Sequence, residues 1–251
     1  MRIVTNQELI RKNRRTATWL FFISMAILIF GFFVANGQVF GLIPEEDVVT
    51  VYTIVTPIVL LIGFVTTLTS VRMTNLWVRV PRPEIVIPEG LKGIQNRNKT
   101  SLYNYYHLPA RHVLITPQGI FPLVTRFQDG RFSVTGDKWK THKGFISTLF
   151  SFLRLDGIGN PYQDAEVAQN YVKHLVEDYD NTIPIYPVIV FFDPRAEVEI
   201  NEPTLPVVYA DNKRTPNLKD YVQSLGNEPI EPFKGEELQK FIEEWEASTL
   251  D

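Results

Sequence analysis

The sequence predicts two membrane-spanning helices followed by an α/β domain built on a mixed sheet. Two long uncharged runs lie before residue 72, and they predict the two helices. After residue 111, runs typical of strands alternate with capped helical patterns. This order requires parallel crossovers beside hairpin connections, so we expect a mixed sheet flanked by helices.

Composition excludes several classes of site. The chain has 251 residues, a net charge of −3 and no cysteine. The charge argues against a surface devoted entirely to nucleic acid, and the lack of thiols excludes disulfides, thiolate zinc sites and a cysteine nucleophile. The histidines show no paired ligand spacing, and the sequence contains no glycine-rich phosphate loop or nucleophile elbow.

The membrane hairpin is expected within residues 1–79, with spans at about 16–35 and 49–70, each near the length of about 20 residues that crosses a bilayer. Arginines and lysines flank its two outer ends, whereas the connecting loop has none. The positive-inside rule therefore predicts a multi-pass protein of the cell membrane with both termini and the soluble domain in the cytoplasm. A cleaved signal peptide is the alternative for the first run, although that run is longer than the usual apolar core and a second span follows at once.

Neither span contains an ionisable residue, so a proton relay or ion pathway is not expected. Pro57 is expected to bend the second span. Gly31-x-x-x-Ala35 offers a small-residue face on which the two helices pack together, or through which a homodimer forms.

The soluble part begins with residues 80–93, whose prolines and glycines predict an extended linker. The folded domain is expected over 94–226. Arg111 to Trp139 predicts a three-strand meander, with Trp139 anchoring the third strand and Pro122 marking an edge or bulge in the second. Residues 140–158 follow as a weakly helical insertion.

The second half alternates helices and strands. Asn160-Pro161 predicts a helix cap, and residues 183–192 predict a strand buried on both faces. A short strand at 205–209 and a helix capped by Thr215-Pro216 come next. In residues 227–251, Glu236 to Ala247 predicts an amphipathic helix that docks on its own domain.

Three of these patterns together resemble the NERD (nuclease-related) domain, a branch of the restriction-endonuclease-like PD-(D/E)xK superfold. They are Arg111 to Trp139, Asn160-Pro161-Tyr162-Gln163, and Ile185 to Phe192 with Asp193-Pro194. The resemblance covers about residues 91–225 and implies a restriction-endonuclease-like mixed sheet flanked by helices. It also implies an early helix bearing a Glu, which is not visible before Arg111.

The resemblance implies an active site whose residues this chain has replaced. In the family an Asp precedes the first strand of the hairpin, and a Glu-x-Lys ends the second. Here those places hold Arg111, Val124 and Arg126, while Gln163 is retained. Two carboxylates hold Mg²⁺ in such nucleases, so we expect neither a metal, nor a cofactor, nor catalysis.

Two other interpretations of these residues stay open. Asp129 and Asp137 are the nearest acids from which a relocated metal site could be built, although both lie in turn patterns. Arg111, Arg126 and Arg131 are expected on neighbouring strands, where they would form a phosphate-binding face.

We therefore expect an integral membrane protein whose degenerate NERD-like domain serves recognition or scaffolding, with nucleic acid and an unknown protein as candidate partners. A membrane-attached, Mg-dependent nuclease with a relocated active site is one alternative. A structural membrane interaction protein is the other.

Overall fold

The computed structural model describes residues 1–142, 155, 157–177, 179–226 and 228–250. The chain forms two compact units. One comprises Met1–Gln7, Val80–Gly144 and Gly157–Asp251, and we call it the sheet unit; the other comprises Glu8–Arg79 and Phe145–Asp156, and we call it the hairpin unit. Most of the insertion predicted at 140–158 lies outside the described residues.

The hairpin unit contains two helices long and apolar enough to cross a membrane, over Gln7–Ala35 and Glu45–Trp77. Only 17% and 6% of their most apolar stretches are buried, which is unlike the core helix of a soluble protein. Their segments are α1 (Gln7–Ala35), a 3₁₀ turn (Glu45–Asp47), α2 (Val48–Thr50), a π-helical turn (Val51–Val55) and α3 (Thr56–Trp77). The π-helical turn ends two residues before Pro57, whose ring and missing N–H disturb the regular hydrogen-bond ladder.

The two long helices pack through small side chains. The buried small residues are Ala17, Ser24 and Gly31 in α1, and Gly63 and Ser70 in α3. A Cβ added at Gly31 would lie 3.2 Å from Val59, and one added at Gly63 would lie 3.3 Å from Leu28. The predicted packing face at Gly31 therefore contacts the second helix of the same chain, which small residues permit.

The described residues of the sheet unit form two sheets. Its strands are β1 (Arg2–Thr5), β2 (Ser101–Asn104), β3 (His112–Thr116), β4 (Gly119–Arg126), β5 (Gly130–Gly136), β6 (Lys138–His142), β7 (Val188–Phe191), β8 (Ala196–Pro203) and β9 (Val207–Tyr209). Its helices are α4 (Pro83–Gly90), α5 (Pro161–Val176), α6 (Leu218–Ser224) and α7 (Glu237–Leu250), with 3₁₀ turns at Arg97–Lys99 and Glu231–Phe233. The strand orders are β1-β2-β3-β4-β7-β9 and β6-β5-β8.

The six-stranded sheet is mixed, as predicted. Strands β2, β3 and β4 are antiparallel, whereas β1 runs parallel to β2, and β7 runs parallel to both β4 and β9. Strand β7 is buried on both faces, as predicted: Val188 and Val190 join one apolar cluster, and Ile189 and Phe191 join another. Parallel strands covered on both faces have this continuous apolar sequence.

The predicted three-strand meander is wrong at its third strand. Strand β5 does not pair with β4; it pairs antiparallel with β6 and parallel with β8 in the second sheet. The chain changes direction before Gly130, whose φ of 103° is readily adopted only by glycine. Trp139 packs on Phe191 with ring centroids 5.9 Å apart, so it does contribute to the core.

The extended linker predicted over 80–93 is also wrong. Pro83–Gly90 is a helix, with proline at its first turn, where a missing N–H costs little. Ile87 and Leu91 are fully buried in the cluster beneath the sheet. The prolines that indicated an extended chain instead begin a short packed helix.

The remaining helices mostly follow their sequence signals. The Asn160 side chain accepts a hydrogen bond from the Gln163 backbone N–H at the start of α5, as predicted. The cap of α6 is Asn217 rather than the predicted Thr215-Pro216, since the Asn217 side chain accepts from the Asp220 N–H at 2.9 Å. The stripe of α7 is buried on its own unit, as predicted, through Leu238, Phe241, Ile242 and Trp245.

Candidate functional site

The candidate site lies where β4 ends against the first turn of α5. Arg126 is the last residue of β4, and its side chain is 9% exposed. Its Nη2 donates to Asp164 Oδ2 at 2.5 Å, and its Nη1 donates to the Thr125 carbonyl at 3.2 Å. Because the Asn160 cap fixes the first turn of α5, this charged hydrogen bond joins the strand to the helix.

Charges around Arg126 oppose one another. Burial lowers the pKa of Arg126, Asp164 raises it, and Arg111 lowers it again. Of the predicted residues, Arg111 is thus the one whose charge acts on Arg126. The Nε of Arg126 is buried and makes no hydrogen bond within the part of the chain that the structure describes.

Val124 precedes Arg126 by two residues and lies on the same face of β4. It is buried in the apolar cluster that contains Ala165 and Ala168 of α5. The position that the resemblance relates to a metal-binding carboxylate thus packs in the core between strand and helix. A carboxylate there would lose its hydration without a partner for its charge.

The other two predicted residues lie elsewhere. Gln163 is exposed, and its backbone N–H serves the cap of α5. Arg131 lies on β5 in the second sheet and pairs at 2.9 Å with Glu197 of β8, both side chains being largely exposed. The expectation of three guanidinium groups on neighbouring strands is therefore wrong, because β4 lies between β3 and β7.

Two acids meet around Arg195, just beyond the ends of β4 and β7. Asp193 is 1% exposed and accepts hydrogen bonds from the backbone N–H, Nε and Nη2 of Arg195. Asp129 contacts the same Nη2 at 3.1 Å. One guanidinium thus neutralises both carboxylates. Sequence reasoning missed this cluster, although Asp193-Pro194 directly follows the buried strand.

A buried polar network lies on the other face of the sheet. His112 is fully buried, and its Nδ1 lies 2.8 Å from Asn104 Oδ1, while the Asn104 amide donates to Thr5 of β1 at 3.0 Å. Burial, reinforced by Arg111, lowers the pKa of His112 to about 3, so the ring is neutral at physiological pH. No short sequence pattern predicts this network, because its members come from three separate strands.

Glu84 extends the polar region from α4. Its side chain is 8% exposed, lies 3.7 Å from Arg82 and accepts a hydrogen bond from Tyr105 Oη at 3.2 Å. The Tyr105 ring stands edge-on to His112, with centroids 4.8 Å apart. A helix bearing a Glu therefore does precede Arg111. Its prolines led the sequence analysis to predict an extended linker instead.

Across the ranges that the structure describes, no group of three His, Asp or Glu side chains is arranged to hold a metal ion. No protein-family model, no curated protein and no solved structure matches this chain. The fold and site thus define a class of protein: an α/β unit with a mixed sheet, joined to two apolar helices of membrane-spanning length.

Proposed function

We propose that this chain is a membrane-anchored, NERD-like module that acts by recognition or scaffolding and not by catalysis. The observation that carries the proposal is the ion pair between Arg126 and Asp164. In a working nuclease of this superfold, carboxylates would face a metal at this place. Here the nearest carboxylate neutralises a buried guanidinium and ties β4 to α5.

The packing of Val124 supports the same conclusion. A divalent ion needs oxygen ligands that converge on it, and it supplies catalysis by activating water and neutralising the transition state. Val124 gives an aliphatic contact to α5 instead. Arg111 adds a permanent positive charge where the resemblance expects a metal-binding Asp, which repels a cation.

The proposed attachment is a multi-pass anchor in a cell membrane, with the sheet unit in the cytoplasm. Its support is the length and exposure of the two apolar helices, together with the clustering of Arg and Lys at their outer ends. The short 3₁₀ turn Glu45–Asp47 at the start of the second helix is entirely acidic, which suits the opposite side of the membrane.

The absence of native cysteine makes this topology directly testable. Single cysteines at Glu46 and at Asn170 are introduced separately into the full chain and treated in intact cells with a thiol reagent that does not cross membranes. We expect labelling at Glu46 alone, and labelling at Asn170 only after permeabilisation. The reverse pattern, or equal labelling of both positions, contradicts the proposed orientation.

Catalysis is tested with the full chain in lipid nanodiscs, using single- and double-stranded DNA and RNA with Mg²⁺ or Mn²⁺. We expect no cleavage above that of empty nanodiscs. Metal-dependent cleavage that disappears in Asp129→Asn or Asp193→Asn would instead establish the relocated nuclease, because those carboxylates already lie close together.

A nucleic-acid-binding role is the second candidate, favoured by the electrostatic proximity of Arg111 and Arg126. Phosphate contacts give an affinity that falls steeply with salt. Arg111→Ala should therefore weaken binding and flatten its salt dependence, whereas Arg131→Ala on the second sheet should leave both unchanged. Absence of binding at low salt leaves protein scaffolding as the recognition role, which crosslinking in native membranes then tests.

A further inference from the structure

The outer face of the second sheet separates charge by strand. Phe132 and Val134 of β5 point into the core, so the alternate residues of β5 and their neighbours in register point outward. The outward residues of β6 are Lys138, Lys140 and His142. Those of β8 are Glu197, Glu199 and Asn201. Serine, threonine and Arg131 lie between them on β5.

The charged residues on the two sides of this face differ in whether they form ion pairs. Glu197 is neutralised by Arg131, and the Ser133 hydroxyl lies 2.9 Å from His142 Nε2. Lys138 and Lys140 are both exposed, and neither forms an ion pair with any described residue. The positive charge thus lies along β6, which is an edge strand of the three-stranded sheet among the described residues.

We propose that the β6 edge is a docking surface for the anionic lipid headgroups of the membrane that anchors this chain. Lys138, Lys140 and His142 span about 14 Å along the strand, because a strand rises about 3.4 Å per residue. The row can therefore face several headgroups at once. The carboxylates of β8 lie two strands away, at about 10 Å, so the unit contacts the bilayer by this edge rather than by its whole outer face.

This inference rests on the proposed membrane anchoring. The chain enters the sheet unit at Val80, soon after α3 ends at Trp77, and it leaves the unit at Gln7, where α1 begins. A membrane-inserted hairpin unit therefore tethers the sheet unit through two chain connections. Weak contacts then suffice, since the headgroups are present at high effective concentration.

Lipid is favoured over nucleic acid by the chemistry of the face. Exposed lysines on a juxtamembrane surface each contribute about a fivefold preference for an anionic leaflet. Single-stranded nucleic acid is usually bound by basic residues combined with aromatic rings on which bases stack. The outward positions of β5, β6 and β8 carry no Phe, Tyr or Trp, and Trp139 packs inward on Phe191.

The test uses the full chain, in which Thr135→Cys places the only thiol, and a fluorophore, on the outer face. Acrylamide quenching is measured in vesicles of neutral phosphatidylcholine and in vesicles containing phosphatidylglycerol. We expect protection of the label in the anionic vesicles, and its loss at 1 M salt, where the screening length falls to about 3 Å. A label at Asn170→Cys on α5 should be quenched equally in both lipids.

Lys138→Glu with Lys140→Glu should abolish the protection, because loss of two positive charges alone lowers the docking equilibrium constant by roughly 30-fold, at about fivefold each, and the new carboxylates add repulsion. The matched control is Lys173→Glu with Lys213→Glu, which makes the same change in net charge at exposed positions elsewhere and should leave the protection intact. Circular dichroism and thermal unfolding establish that each variant is folded, and Lys138→Gln with Lys140→Gln gives an intermediate result.

Equal quenching in neutral and anionic vesicles overturns the proposal, as does protection that survives the Lys138 and Lys140 reversal. Protection that appears with an oligonucleotide in neutral vesicles, and not with anionic lipid, also overturns it, in favour of nucleic acid. Flotation with both kinds of vesicle tests anchoring separately, so a failure of the lipid contact is distinguished from a failure of the anchor.

Discussion

The ion pair between Arg126 and Asp164 should contribute much more to stability than the exposed pair between Arg131 and Glu197. Both are Arg–carboxylate pairs that join separate elements of the sheet unit. They differ in burial, because Arg126 is 9% exposed while Arg131 is 75% exposed. We therefore compare Asp164→Ala with Glu197→Ala.

Removing the partner of a fully buried charge costs about 3–5 kcal/mol. Asp164 is 60% exposed, so water can reach the guanidinium once the carboxylate is gone, and we expect a loss of about 2 kcal/mol. Alanine is a better helix former than aspartate by about 0.5 kcal/mol, but the lost interaction with the helix dipole offsets this gain. Glu197→Ala should cost less than about 0.5 kcal/mol, as is usual for an exposed pair.

A second substitution isolates the pair itself. Arg126→Met removes the buried guanidinium but keeps an apolar side chain of similar length. In that background Asp164→Ala should cost less than about 0.5 kcal/mol, giving a coupling energy of about 1.5 kcal/mol. The free energy of unfolding is measured in urea for the full chain in detergent micelles. Trp139 and Trp245 report on the sheet unit once Trp19 and Trp77 are replaced by Phe.

The reasoning is refuted if Asp164→Ala and Glu197→Ala destabilise equally. Such a result would mean that the contact does not hold β4 to α5. Arg126 would then be available to an external anion, and the structural role given to its ion pair would have to be abandoned. A coupling energy near zero would have the same consequence.

Three further predictions concern the rest of the sheet unit. Burial lowers the pKa of His112 to about 3 and that of His107 to about 4, so both rings are neutral in the fold, whereas the unfolded chain binds protons below about pH 6.5. The free energy of unfolding should therefore be flat above pH 7 and fall by about 2 kcal/mol per histidine by pH 5. His107→Phe should reduce that slope in urea unfolding. Gly90→Ala should cost more than about 3 kcal/mol in thermal unfolding, because its Cβ would overlap the Ala210 carbonyl, whereas Gly157→Ala has open space and should be nearly neutral. Glu246 pairs with Arg2 and accepts a hydrogen bond from Tyr103 Oη, each at 2.7 Å. Glu246→Ala should therefore lower the free energy of unfolding by about 1–2 kcal/mol and speed hydrogen exchange in β1. Unchanged exchange would contradict this linking role.

The parts of the fold that were predictable rest on local periodicity. A continuous apolar run predicts the buried strand β7, and helical spacing of apolar residues predicts the stripe of α7. The Asn160 cap is likewise a local sequence signal. Strand β8 escaped prediction because its sequence AEVEINEP contains three acids, two of which, Glu197 and Glu199, face outward beside β5. Its partner lies more than sixty residues earlier in the chain, so no local window reveals the pairing.

The candidate site was predictable only in part for the same reason. The interest of Arg111, Val124 and Arg126 follows from the sequence resemblance alone, because it needs only position along a strand. The partner of Arg126 is not visible, since Asp164 is brought to it by the packing of α5 across β4. Arg131 was misplaced because consecutive strands usually pair, whereas the chain leaves the first sheet after Arg126 and enters the second at Gly130.

Strand β1 shows that, along the chain, the hairpin unit interrupts the sheet unit rather than preceding it. Residues Arg2–Thr5 pair with β2, and Thr5 receives the Asn104 hydrogen bond of the buried His112 network. A soluble fragment of residues 80–251 therefore lacks one strand and exposes the edge of β2, which favours aggregation.

We expect that joining residues 1–7 to residue 80 through a flexible Gly-Ser linker yields a soluble protein that unfolds cooperatively. The fragment 80–251 should be less stable by several kcal/mol, because it loses the strand's hydrogen bonds and leaves Asn104 without its partner. Urea unfolding and size-exclusion chromatography of the two proteins provide the comparison, and Thr5→Val in the joined protein tests the network bond alone. Equal stability of the two proteins would show that β1 contributes nothing to the sheet and that the anchor is a simple N-terminal addition.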